Sequence, residues 1–143
     1  MRFHVLPLSL AALGLSACNS GEEPVPEETA ATPTPTPLPT EVPAAYQGRW
    51  GLVAEDCTSD RGDAKGLLEV SGTELRFYES VGTLEEVTGA TNGRFRGNFA
   101  FTGEGMEWER DVVLDLRDDG RVLVRREFGV DASADAFDYM RCP

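Results

Sequence analysis

From Tyr46 onward, apolar and polar residues alternate, and turn residues interrupt the alternation roughly every eight to twelve positions. A period of two marks half-buried strands, and regularly spaced turns point to an all-β sandwich or barrel. The pattern predicts eight short strands, at 49–53, 67–70, 74–79, 83–88, 95–101, 106–116, 122–128 and 137–142. Asn92-Gly93 and Asp118-Asp119-Gly120 are hairpin signals because their residues accept positive φ, and Ser71-Gly72-Thr73 and Gly103-Glu104-Gly105 mark two further turns. Phe95, Gly97, Phe99 and Phe101 share one face of the fifth strand. In the sixth, Met106, Trp108, Val112, Leu114 and Leu116 alternate with Glu107, Glu109, Asp111 and Asp115. Consecutive hairpins favour an antiparallel meander. Eight such strands can curl into a small up-and-down barrel with no exposed edge, and a β-sandwich is the alternative.

The chain before Tyr46 cannot build a core. Glu22, Glu23, Glu27 and Glu28 repel one another, and the alternating Thr32-Pro33-Thr34-Pro35-Thr36-Pro37 run favours polyproline II. The expected organisation is a targeting segment over 1–17, an acidic, Pro/Thr-rich disordered linker over 18–45, and a β domain over 46–143. At about 3.1 Å per residue, the linker could hold the domain up to roughly 80 Å from its anchor.

The targeting segment begins with Met1-Arg2-Phe3-His4 and continues with an apolar run from Val5 to Leu15. At about 11 residues, that run falls well short of the roughly 20 needed to span a bilayer, and it reads as a signal-peptide core. Leu15-Ser16-Ala17-Cys18 closes it and resembles the lipobox of bacterial lipoproteins. The resemblance implies cleavage before Cys18, a thioether-linked diacylglycerol on that residue, and N-acylation with a fatty acid such as palmitate. Several acyl chains on one residue anchor stably where one would not. Asn19 stands where an inner-membrane retention signal of such lipoproteins would carry Asp. That implies sorting to the outer membrane, facing the periplasm or the cell surface.

Of the three cysteines, Cys18 is thus assigned to lipid, which leaves Cys57 and Cys142. The first follows the opening strand and the second ends the last, and in a closed barrel those strands are neighbours. A disulfide between them would close a loop of about 86 residues, which constrains the unfolded chain by roughly 4 to 5 kcal/mol. An exported location supplies the oxidising compartment.

Charge and composition remove several functions. The formal net charge is −12. The single histidine, His4, falls in the targeting segment, so the mature chain has no imidazole for a triad, a Cys–His pair or a metal site. So acidic a chain lacks the basic footprint that nucleic acid requires, whereas polycations, cationic peptides and Ca²⁺ remain compatible. The loop from Glu55 to Asp63 is acidic but lacks EF-hand spacing, so no metal is assigned to it. Ser71, Ser80 and Ser133 have no base to activate them, and no Gly-rich motif would cradle phosphate, so neither catalysis nor a cofactor is expected.

Gly48-Arg49-Trp50 at the start of the first strand, with Arg141 on the last, resembles the calycin arrangement of lipocalin-type barrels. The resemblance implies that Trp50 closes the barrel floor beneath Arg141, with a cation–π stack between them. In size and layout the domain also resembles the small one-disulfide barrel inhibitors of secreted metalloproteases, and small lipoprotein domains of high-GC bacteria.

Arginine also recurs at apolar parity. Arg110 is in phase with Trp108 and Val112, Arg126 with Val122, Val124 and Phe128, and Arg141 with Phe137 and Tyr139. Arginines inside a small barrel must be paired, and Glu79, in phase with Leu75 and Phe77, is the available partner. Either these residues form an internal salt-bridge network or sit at the rim with their heads in water, or Arg110, Arg126 and Arg141, with Trp50 and Glu79, line a cup for a small carboxylate or phosphate. The functional expectation is a noncatalytic binding or structural module tethered to the outer membrane, binding a small anionic ligand or an envelope component. The alternative is a protein-interaction module, such as a periplasmic protease inhibitor or assembly accessory, whose mark would be a sealed barrel with an exposed apolar loop.

Overall fold

A computed structural model describes residues 37–143; the expected targeting segment, the lipobox-like Leu15-Ser16-Ala17-Cys18 and most of the expected linker lie outside the described residues. Eight strands form a closed antiparallel barrel in sequence order: β1 (Gly48–Gly51), β2 (Leu67–Val70), β3 (Glu74–Arg76), β4 (Ser80–Thr91), β5 (Arg94–Gly103), β6 (Met106–Arg117), β7 (Val122–Phe128) and β8 (Phe137–Arg141). β1 closes the seam against β8, with Trp50 opposite Arg141 and Gly51 opposite Met140. The barrel predicted from the alternation is therefore the observed fold, and the sandwich is not.

Two local features depart from the sequence reading. Ala54–Thr58, read as an acidic loop, forms a short helix, α1. Asp56 explains it: its carboxylate accepts hydrogen bonds from the Val53 N–H at 3.0 Å and the Gly66 N–H at 3.1 Å, tying the helix start to the next loop. The second departure is that the packed body begins before Tyr46. Val42, read as linker, is 0% exposed. Its N–H donates to the Gly72 carbonyl at 2.8 Å, and its own carbonyl accepts from Gln47 Nε2 at 2.8 Å. Five residues of apparent linker, 41–45, thus act as a strap under the barrel, a role that one valine and two alanines around Pro43 do not announce.

The interior is filled. Trp50, Leu68, Leu75, Phe95, Phe99, Val112, Leu114 and Leu123 are fully buried, and Tyr46, Phe101 and Tyr139 nearly so. Gly82 is where backbone makes room for this packing: a β-carbon there would come within 2.6 Å of the Phe101 ring opposite. Cys57 and Cys142 are bonded, joining the helix after β1 to the residue after β8. The bond staples the same seam that β1 and β8 close by hydrogen bonding.

Candidate functional site

The barrel has one sealed end and one end bordered by an open cleft. At the sealed end the Arg141 guanidinium lies 4.0 Å from the centre of the Trp50 ring. It donates to the carbonyls of Gly120 at 2.9 Å, Gln47 at 3.1 Å and Ala45 at 2.6 Å. The Trp50 indole N–H donates to the Tyr46 carbonyl at 2.8 Å, and the Tyr46 ring packs against Phe95 with centroids 6.0 Å apart. Burial pushes the Tyr46 phenol up, and its enclosed hydroxyl has no hydrogen-bond partner among the described residues. All three nitrogens of the Arg141 guanidinium are thus engaged by backbone carbonyls.

The arginines expected to converge do not. Arg141 is at the sealed end. Arg110 points into the opposite end. Arg126 lies on the outer surface, correcting the parity read from the sequence. The register decides the matter: Leu116 faces Leu123 and Leu114 faces Arg125, so the odd residues of β7 point inward. Sequence favoured the even residues because Val122, Val124 and Phe128 are apolar. Val124 is nevertheless buried on the outside, where its cross-strand neighbours are Asp115 and Asp138; Val113 beside it lies between Arg96 and Arg126. Arginine stems can shield apolar surface while their heads reach water or a carboxylate. Here Arg126 Nη1 donates to Asp115 Oδ2 at 2.9 Å, and Arg94 Nη2 donates to the same oxygen at 3.0 Å. The hydrogen bond from Arg94 holds the Asp115 carboxyl below the usual carboxylate range; burial opposes it and Arg126 reinforces it.

Arg125, which the sequence reading passed over, is an arginine inside the barrel. It is 9% exposed, lies 4.6 Å from the Phe77 ring centre and 4.8 Å from that of Phe137, and is ion-paired with Glu127. Glu127 also lies 3.8 Å from Arg110 Nε. Glu79, assigned as the internal partner, is exposed and forms no ion pair among the described residues. The internal network is therefore Arg110–Glu127–Arg125, wedged among aromatic rings, with the Nε of both arginines buried and without a hydrogen-bond partner among the described residues.

Beside that end lies an open cleft of about 780 Å³. Its apolar surface is Trp108, Phe128 and Val130; its polar surface includes Glu85, Glu109, Asp131 and Arg110. Three local choices build it. A register break between Leu84 and Glu86 leaves Glu85 without a cross-strand partner, a β-bulge of the kind that re-aims a side chain. Trp108 stacks on Phe101 across the β5–β6 pair, 5.5 Å apart and 11° from parallel. Gly129, at φ 138°, lets the loop after β7 press against β6, where an added β-carbon would lie 3.4 Å from the Glu109 carbonyl oxygen. That contact holds Phe128 and Val130 out in solvent, at 48% and 82% exposed. The signal available in the sequence was Val130 itself, an apolar residue inside a Gly/Asp/Ser-rich turn where no core position calls for it.

Compared with known proteins, the chain matches no family model, no curated protein and no solved structure.

Proposed function

We propose that this chain is a lipid-anchored, noncatalytic binding module of the bacterial envelope that meets its partner on the outside of its barrel. The observation that carries the reading is the placement of the open cleft beside a filled barrel: the interior offers packed rings and an ion network held among them, while Phe128 and Val130 lie exposed along a cleft that the half-buried Trp108 also lines. A small-ligand cup built on Arg110, Arg126 and Arg141 loses its support, since these side chains point to three different places. Export and anchoring are supported by the lipobox-like Leu15-Ser16-Ala17-Cys18 and by the Cys57–Cys142 bond, which belongs in an oxidising compartment. The absence of histidine from the mature chain supports a role without catalysis. This moves the weight from the small-ligand module to the protein-interaction alternative.

The test places a photoreactive residue in the cleft, Val130→p-benzoylphenylalanine, in the producing cell. A second chain carries it at the opposite end, Arg117→p-benzoylphenylalanine. We expect a discrete cross-link to one envelope protein from position 130 and none of that size from position 117. Identical products from both positions, or none from either, overturn the reading.

A further inference from the structure

We propose that the cleft receives a basic segment of a partner protein, with lysine or arginine side chains held between Glu85, Glu109 and Asp131 and aliphatic stems lying on Phe128 and Val130. The inference rests on the reading of the cleft as a recognition surface and adds the chemistry of its occupant.

The charges of the cleft divide into those already satisfied and those left over. Asp111 is ion-paired with Arg96, and Arg110 and Arg125 share the one carboxylate of Glu127, which leaves a single positive charge at the base of the cleft, while Arg110 Nη1 donates to the Glu109 carbonyl at 2.8 Å. Glu85, Glu109 and Asp131 form no ion pair among the described residues. Three carboxylates around an apolar strip thus outweigh the one guanidinium charge left over from the Arg110–Glu127–Arg125 group, and the unbalanced charge of the cleft is negative. An anionic ligand would be repelled by it. A purely apolar occupant, lipid included, would strip water from three carboxylates without replacing the lost hydrogen bonds. A second copy of the chain would bring its own net charge of −12 to the same surface. A cation meets all three carboxylates, and Phe128 already accepts one, with the Arg96 guanidinium 6.0 Å from its ring centre. Mixed composition then favours peptide over simple polycation. Val130 and Phe128 gain from aliphatic or aromatic neighbours, and a lysine or arginine stem followed by an apolar residue supplies them.

The experiment uses the full chain in neutral detergent, titrated with acetyl-Lys-Leu-Lys-Leu-Lys-amide and followed by amide and indole N–H resonances. Acetyl-Glu-Leu-Glu-Leu-Glu-amide and spermidine are titrated alongside. We expect saturable shifts at the Trp108 indole and the Gly129 amide with the lysine peptide, and none with the glutamate peptide. Val130→Ser, which leaves charge and fold unchanged, should weaken binding about fivefold, and Glu109→Gln about threefold, with the effect of Glu109→Gln fading as salt rises. Spermidine shifting the same resonances as strongly, with Val130→Ser without effect, would reveal diffuse attraction and overturn the proposal. So would an undisturbed cleft. The cross-link separates this failure from that of the underlying reading. A partner joined to position 130 through an acidic segment would keep the cleft as a recognition site and remove its basic occupant. Loss of any position-specific cross-link would remove the site itself.

Discussion

At the scale of single residues, the molecule turns on which carboxylate each arginine finds. Arg126 was legible as a residue at odds with its apolar neighbours, but its partner was not. Asp115 lies on another strand, and the register that joins them depends on where the intervening turn sits. The pairing also has a pH signature. Asp115 is held below its ordinary value of 3.8, chiefly by Arg94, so its charged form is favoured in the fold. Its contribution is present above about pH 3.8 and is lost as pH falls through the lower folded value. Asp115→Asn should therefore cost about 1 to 2 kcal/mol at pH 7, and the gap to the parent should close as denaturant midpoints are followed below pH 4. A constant gap across that range would mean that packing, not charge, is what the substitution disturbs.

At the scale of elements, the sealed end is a joint between the strap over 41–46, β1 and β8. Trp50 and Arg141 stood out in the sequence through their resemblance to the calycin arrangement of lipocalin-type barrels. Their meeting across the seam explains why an exposed guanidinium is held so firmly: it has three carbonyls and a ring to satisfy it. A lysine could reach one of those carbonyls and would lose the planar stack. Arg141→Lys should thus cost about 1 to 2 kcal/mol in chemical denaturation and loosen the strap, seen as faster amide exchange at Val42. Unchanged exchange at Val42 would show that the strap is held by Gln47 and Gly72 alone. β7 teaches the converse lesson. Its even positions look like a core face and its odd positions, Leu123, Arg125 and Glu127, do not, yet the odd set is inside because Arg125 and Glu127 neutralise each other there.

At the scale of the whole domain, closure and stapling act on the same seam. β1 has only four residues, so its pairing with β8 is brief, and the covalent bond between Cys57 and Cys142 stands directly beside it. For a loop closed over a sequence separation of 85, the chain-entropy cost removed from folding is about 4 to 5 kcal/mol. Replacing both cysteines by serine should lower unfolding free energy by at least about 2 kcal/mol and open the β1–β8 seam first in hydrogen exchange. A loss spread evenly over all strands would show that the barrel is closed by its core and not by its staple.

The sequence by itself determined the all-β class and the strand count, through period two and turn chemistry, and it pointed to the pairing of Cys57 with Cys142; the choice of closed barrel over sandwich was made by the β1–β8 seam. The sequence also singled out Trp50 and Arg141. Only the tertiary structure decided which arginines are inside, that Val42 belongs to the core, and that the cleft gathers Glu85, Trp108, Val130 and Asp131. Those outcomes depend on register and on contacts between residues far apart in the chain. A shift of one residue in β7 exchanges Arg125 for Arg126, and nothing in the pattern of that strand alone assigns an energy to the exchange.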